Sequence, residues 1–90
     1  MDQQQQRFAR YMERNQDIMN DYMTTENMIQ AQARRTFFEL QKAIIEEGAD
    51  GKVVDDLRSK AMSQAEVLVD AKIKACQAVV KLKQDYPEFS

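Results

Sequence analysis

Residues 44–57 read Ile-Ile-Glu-Glu-Gly-Ala-Asp-Gly-Lys-Val-Val-Asp-Asp-Leu, and the segment Gly48-Ala49-Asp50-Gly51 holds both glycines of the 90-residue chain. With the single proline far away at Pro87, this is the one concentrated turn signal. It divides the sequence into a first arm, about 2–47, a turn at 48–51, a second arm, about 52–84, and a short tail, 85–90. A turn this short makes the arms antiparallel neighbours. Gly48 suits the left-handed residue that follows a helix end. Asp50 is expected to cap the second helix, and Asp55 and Asp56 lie near its positive end. Lys81 and Lys83 lie near its negative end, and Pro87 stops it.

Each arm carries helical periodicity. In the first, Phe8, Met12, Met19, Tyr22, Ile29, Ala33, Phe37, Leu40 and Ile44 form one stripe, with Asn15 and Glu26 at the two intervening positions. In the second, Val54, Leu57, Ala61, Ala65, Leu68, Ala75, Val79 and Leu82 form a stripe interrupted at Lys72. A second stripe of Met62, Val69, Ile73, Cys76 and Val80 adjoins it. Together these are wider than a two-helix seam requires. Thr24-Thr25 is the weakest point of the first arm, because β-branched hydroxyl residues compete for backbone hydrogen bonds. With no Gly or Pro there to build a reversal, the arm is expected to continue, straight or bent. Leu68 and Phe37 are read as mid-hairpin core residues whose truncation to alanine costs about 2 to 5 kcal/mol.

Folding the arms about the turn sets Ile44 near Val54, Phe37 near Met62, Ile29 near Val69 and Met19 near Val80. At about 1.5 Å per residue the first arm runs roughly 69 Å and the second roughly 50 Å. Residues before about Asn15 are therefore expected to overhang with no facing segment in their own chain, although Phe8, Tyr11 and Met12 lie among them.

Composition narrows the function. Thirteen basic residues face fifteen acidic ones, for a net charge of −2, interspersed rather than blocked. That argues against nucleic acid as a partner. The lone Cys76 allows no intrachain disulfide, which fits a cytoplasmic location. The glutamine-rich start has no apolar run and reads as neither signal peptide nor membrane span. With no histidine and no Gly-rich phosphate loop, neither a nucleophile and base pair nor a cofactor site is expected. Glu13, Asp17 and Asp21 form a carboxylate row at four-residue spacing. Without histidine the row reads as a solvated face, neutralised by Arg10 and Arg14, and not as a metal site. Arg34, Arg35, Lys72 and Lys74 read as surface, Arg35 pairing with Glu39 along the helix and Lys72 resting its aliphatic stem on the apolar stripe.

Four of the five methionines after Met1 fall between Met12 and Met28, among Tyr11, Ile18 and Tyr22. Methionine is flexible and polarizable and suits a surface that adapts to a partner helix, although the same pattern also describes an ordinary core stripe. The plan is similar in shape to the small helical hairpins of bacterial secretion, both export chaperones and secreted dimers. Their Trp-x-Gly and Pro-rich turns are missing here, so the likeness is one of shape alone. The expectation is an all-α chain, a long antiparallel helical hairpin that completes a four-helix bundle by dimerisation. Its expected function is non-enzymatic protein binding as an adaptor, small chaperone or regulatory subunit. Phe8, Tyr11, Met12, Met19, Tyr22 and Met23 are the expected contact residues, and the partner is a second copy, with a second protein as a further one. The competing expectation is a structural subunit that packs into larger arrays.

Overall fold

The computed structural model describes residues 2–89 as two long helices and a short tail, with no strand among the described residues. Met1, which precedes the expected first arm, and Ser90, the end of the expected tail, lie outside the described residues. Helix α1 spans Gln3–Glu47 and helix α2 spans Lys52–Asp85. A single 3₁₀ turn, Pro87–Phe89, follows. The long dimension of the molecule is 67 Å, the length of α1 at about 1.5 Å per residue. The first arm accordingly runs through Thr24-Thr25 without a break.

Local chemistry explains the ends. Asp2 opens α1 with a capping box: its carboxylate accepts from the Gln5 N–H at 2.7 Å, while the Asp2 N–H donates to the Gln5 side chain. At the other end Gly48 takes φ 83°, a conformation that costs glycine little, and its N–H donates to the Ile44 carbonyl at 2.9 Å. The expected cap of α2 is corrected. Gly51, not Asp50, holds that position, with no side-chain cap bond. A Cβ at Gly51 would come within 3.0 to 3.2 Å of the Glu47 side chain, so the two helix ends meet closely there. Asp55 in the first turn of α2 and Lys83 in the last complement its dipole.

The helices touch along a seam with a period of seven. On α1, Asn15, Tyr22, Ile29, Thr36 and Ala43 point inward. On α2, Val54, Ala61, Leu68, Ala75 and Leu82 do so, with Leu57, Gln64, Ala71 and Ala78 between them. All are buried or half-buried. A strict seven-residue repeat is the pattern of a left-handed coiled coil. The levels agree with those expected from the turn. Ala43 packs with Val54, Leu57 and Leu40, Glu39 pairs with Lys60 at 3.7 Å, and Thr36 meets Gln64. The Thr36 hydroxyl has one hydrogen to give and donates to the Gln32 carbonyl or the Gln64 amide oxygen, each 3.1 Å away.

The face of α1 is corrected by one residue. The seam passes through Tyr22, Ile29 and Leu40 as expected, but takes Ile18, Thr25, Thr36 and Ala43 where the sequence stripe has Met19, Glu26, Phe37 and Ile44. Phe37 is 57% exposed, so within the single chain it is no core residue. On α2 the exposed Ala65 gives way to Gln64 in the same manner. Following the largest apolar side chains traces a 3.6-residue period, whereas two helices in contact hold a 3.5-residue one and close most tightly over small side chains. Fully buried apolar bulk is therefore confined to a few residues, chiefly Ile29 at 3% exposure and Leu82 at 1%.

Ile29→Ala and Leu82→Ala are expected to destabilise the hairpin by about 2 to 5 kcal/mol each. Equilibrium urea denaturation followed by circular dichroism measures this. A loss under about 1 kcal/mol at either position would show that the seam does not run through it.

Candidate interaction face

In an antiparallel helix pair, residues that follow a seam position lie on the same side of both helices. On that side α1 carries Met12, Met19, Met23, Ala33, Phe37 and Ile44. The matching positions along the middle of α2 are Met62, Ala65, Val69, Lys72, Cys76 and Val79, with Ile73 and Val80 one position further round, and the charged Asp55, Arg58 and Lys83 occupy those toward its two ends. Met19 and Tyr22 form one wall of a groove whose other wall is Lys72, Ala75, Cys76, Val79 and Val80. The opposite side presents Asp21 and Lys74 about one shallow depression, and Gln32, Arg35, Glu39 and Lys60 about another. One face of the hairpin is thus apolar along its middle, while the other mixes charged residues with exposed Met28, Val53 and Val67.

The contact residues named from the sequence divide into two groups. Met12, Met19 and Met23 stand about half exposed on the apolar face. Tyr22 is half-buried at its edge, and its hydroxyl donates to the Glu26 carboxylate at 2.7 Å, which pushes its pKa up. Phe8 and Tyr11 belong to a different arrangement, and here the expected overhang is corrected. The tail turns back over the start of α1 and packs on Phe8 and Tyr11, leaving Phe8 half exposed. Phe89 packs edge-on against Phe8 at 5.2 Å and lies 5.4 Å from Tyr11, whose ring is also 5.9 Å from that of Tyr86. Tyr86 is buried.

Two arginines fasten this clasp. Arg7 Nε donates to Glu88 Oε1 at 2.6 Å and its Nη2 donates to the Asp85 carbonyl at 3.1 Å. Arg14 donates to the Asp85 carboxylate at 3.2 Å. Both guanidinium groups lie over the Tyr86 ring, at 4.7 and 5.6 Å from its centre. Arg14 therefore serves the tail and not the row of Glu13 and Asp17, and Glu39 pairs across the seam with Lys60, where the sequence reading had paired it with Arg35. Hydrogen bonding from Arg7 holds the Glu88 carboxyl below its ordinary pKa. Glu13, Asp17 and Asp21 are exposed.

The sequence reading omitted Tyr86 and Phe89 from the functional residues, although two aromatics beyond a proline stop, at the level of an unpaired aromatic pair, were the available signal. It also left out the α2 wall of the groove, Lys72 and Val79 included. No helix among the described residues is long and apolar enough to cross a membrane. No family model matches the chain, and neither a characterised protein nor a solved structure matches it.

Because the folded pKa of Glu88 lies below its unfolded value, the clasp contributes fully above the ordinary glutamate pKa of about 4.3 and is lost as pH falls through the lowered value. Protection of the amides of residues 6–11, with exchange taken relative to the intrinsic rate at each pH, is expected to fall over that acid range, and Glu88→Gln is expected to flatten the dependence. Equal pH profiles for the two proteins would remove Glu88 from the clasp.

Proposed function

We propose that the chain is a non-enzymatic protein-binding module of the adaptor, small-chaperone or regulatory-subunit kind, acting through its apolar face. The observation that carries this reading is the groove between Met19 and Tyr22 on α1 and Cys76, Val79 and Val80 on α2. It is flanked by half-exposed Met12, Met23, Val69 and Ile73. Contiguous apolar surface of this kind is favourable to bury and costly to leave in water. Methionine on one wall lets the groove adjust to the side chains of a docking helix. Lys72 at the rim gives the groove a cationic edge for an acidic group beside that helix.

A second observation favours the assembly reading. Phe38, whose ring packs edge-on against Phe37 at 5.7 Å, and Ile45, 83% exposed, lie seven residues apart and carry exposed apolar surface from the Phe37 edge of the apolar face round to the outer side of α1. Apolar surface that wraps past one side of the hairpin is more than a single closed interface covers, and the remainder is available for packing into open arrays.

A photo-crosslinking residue at position 19, introduced into the chain in cells, is expected to yield a discrete adduct that Val80→Glu abolishes while the circular dichroism of the purified variant stays helical. A diffuse smear unaffected by Val80→Glu would overturn the groove as a docking site. Light scattering separates the two readings, because a binder of fixed stoichiometry keeps its mass with concentration and an open array grows.

A further inference from the structure

Two features of the apolar face say more about its occupant: the amount of surface and the placement of its charges. The chain exposes 7035 Å², whereas a globular monomer of its 10.5 kDa mass exposes about 5,400 Å². The excess is about 1,600 Å² for each chain, and doubling it for a pair falls within the roughly 2,000 to 5,000 Å² that obligate homodimer interfaces bury. A hairpin of two helices lacks a core of its own beyond the seam, and a second apolar face of equal size would supply one.

The charges then select an arrangement. Among the α1 residues on this face, Glu26 is the one charged group, and it sits half-buried near the middle of the helix. Lys72, which interrupts the stripe of α2, lies across the seam at the same level. Neither has an ion-pair partner among the described residues. Two hairpins stacked face to face are related by a two-fold axis lying either along the hairpin or across it. With the axis along the hairpin, α1 of each copy lies over α2 of the other and symmetry fixes every residue at its own level. Glu26 of each copy then meets Lys72 of the other, twice. With the axis across the hairpin, α1 lies over α1, and Glu26 approaches its own equivalent at the matched level.

Resting on the binding reading above, we propose that the occupant of the apolar face is a second copy of this chain, stacked with both turns at the same end and Glu26 of each copy paired with Lys72 of the other. All four helices then run antiparallel to their neighbours, and the Met12, Met19 and Phe37 side of α1 is closed against the Val69, Cys76 and Val79 side of α2. The two charges serve as register pins in the apolar middle of the interface, where mismatched charge is disfavoured more than matched charge is favoured, while Asp55, Arg58 and Lys83 lie toward its ends.

Sedimentation equilibrium of the full-length chain at micromolar concentration is expected to give twice the chain mass. Glu26→Lys and Lys72→Glu are each expected to weaken the dimer by at least about tenfold, and the double exchange to recover most of that loss. Glu26→Gln, which keeps an acceptor for Tyr22, is expected to weaken it less than Glu26→Lys, a gradation that loss of folding would not produce. Circular dichroism on every variant checks that the helices persist. A chain monomeric at all concentrations, a mass that climbs past the dimer, or a double variant no better than the singles would overturn the proposal. A monomer that still forms the discrete adduct at position 19 overturns self-pairing and leaves the binding reading standing, whereas a monomer without that adduct overturns both.

Discussion

The seam between α1 and α2 governs everything else in this molecule, because two helices in contact can bury only one narrow stripe each. Its seven-residue repeat runs through Ile29, Thr36 and Ala43 on one side and Val54, Leu68, Ala75 and Leu82 on the other. Small and polar side chains at many of those positions bring the backbones close, and the bulkier Met19, Phe37 and Ile44 are turned one position outward. A close seam and a greasy flank are two consequences of one constraint: apolar residues occupy more of each helix than a pair of helices can enclose.

The tail solves a smaller problem of the same kind. Helix α1 is the longer helix, so the surface of its first three turns has no partner along α2. Pro87 ends the helical path, and a single turn of 3₁₀ helix lays Phe89 against Phe8 and Tyr11 while Tyr86 fills the corner. Offset and edge-on ring contacts suit such a corner because they fill it with little loss of side-chain freedom. The arginines at positions 7 and 14 fix the orientation, each over the Tyr86 ring and each bonded to an acidic residue or carbonyl at the end of α2. Apolar surface is thereby withdrawn from the end of the hairpin and left at its middle, where the Met19 groove lies.

How far the fold was legible can be followed through particular residues. The boundaries near Glu47 and Lys52 follow from Gly48 and Gly51, because helix termination is a local event set by backbone freedom and neighbouring caps. The level of each residue against its counterpart follows from the turn, because an antiparallel pair with a short loop has no freedom to slide. The adjoining α2 stripe of Val69, Ile73, Cys76 and Val80 was legible as surplus, and it is exposed. Asp50 was misread as a cap because the first backbone hydrogen bond of α2, from the Asp55 N–H, goes to the Gly51 carbonyl, one residue later than the local pattern suggests.

The sequence by itself determined two helices, their lengths, the turn between them and the excess of apolar residues, all of which depend on spacing along one chain. Only the tertiary structure decided which of two neighbouring stripes on α1 is inside. That choice turns on the difference between 3.6 and 3.5 residues per turn, which appears when a second helix is present to wind against. The tertiary structure likewise decided that Phe8 and Tyr11 pack against the chain's own Tyr86 and Phe89, since residues about eighty positions apart meet there through the return of α2 and not through any periodicity. The same return set Met19 and Tyr22 opposite Val79 and Val80, making a groove out of two stripes that are separate in the sequence.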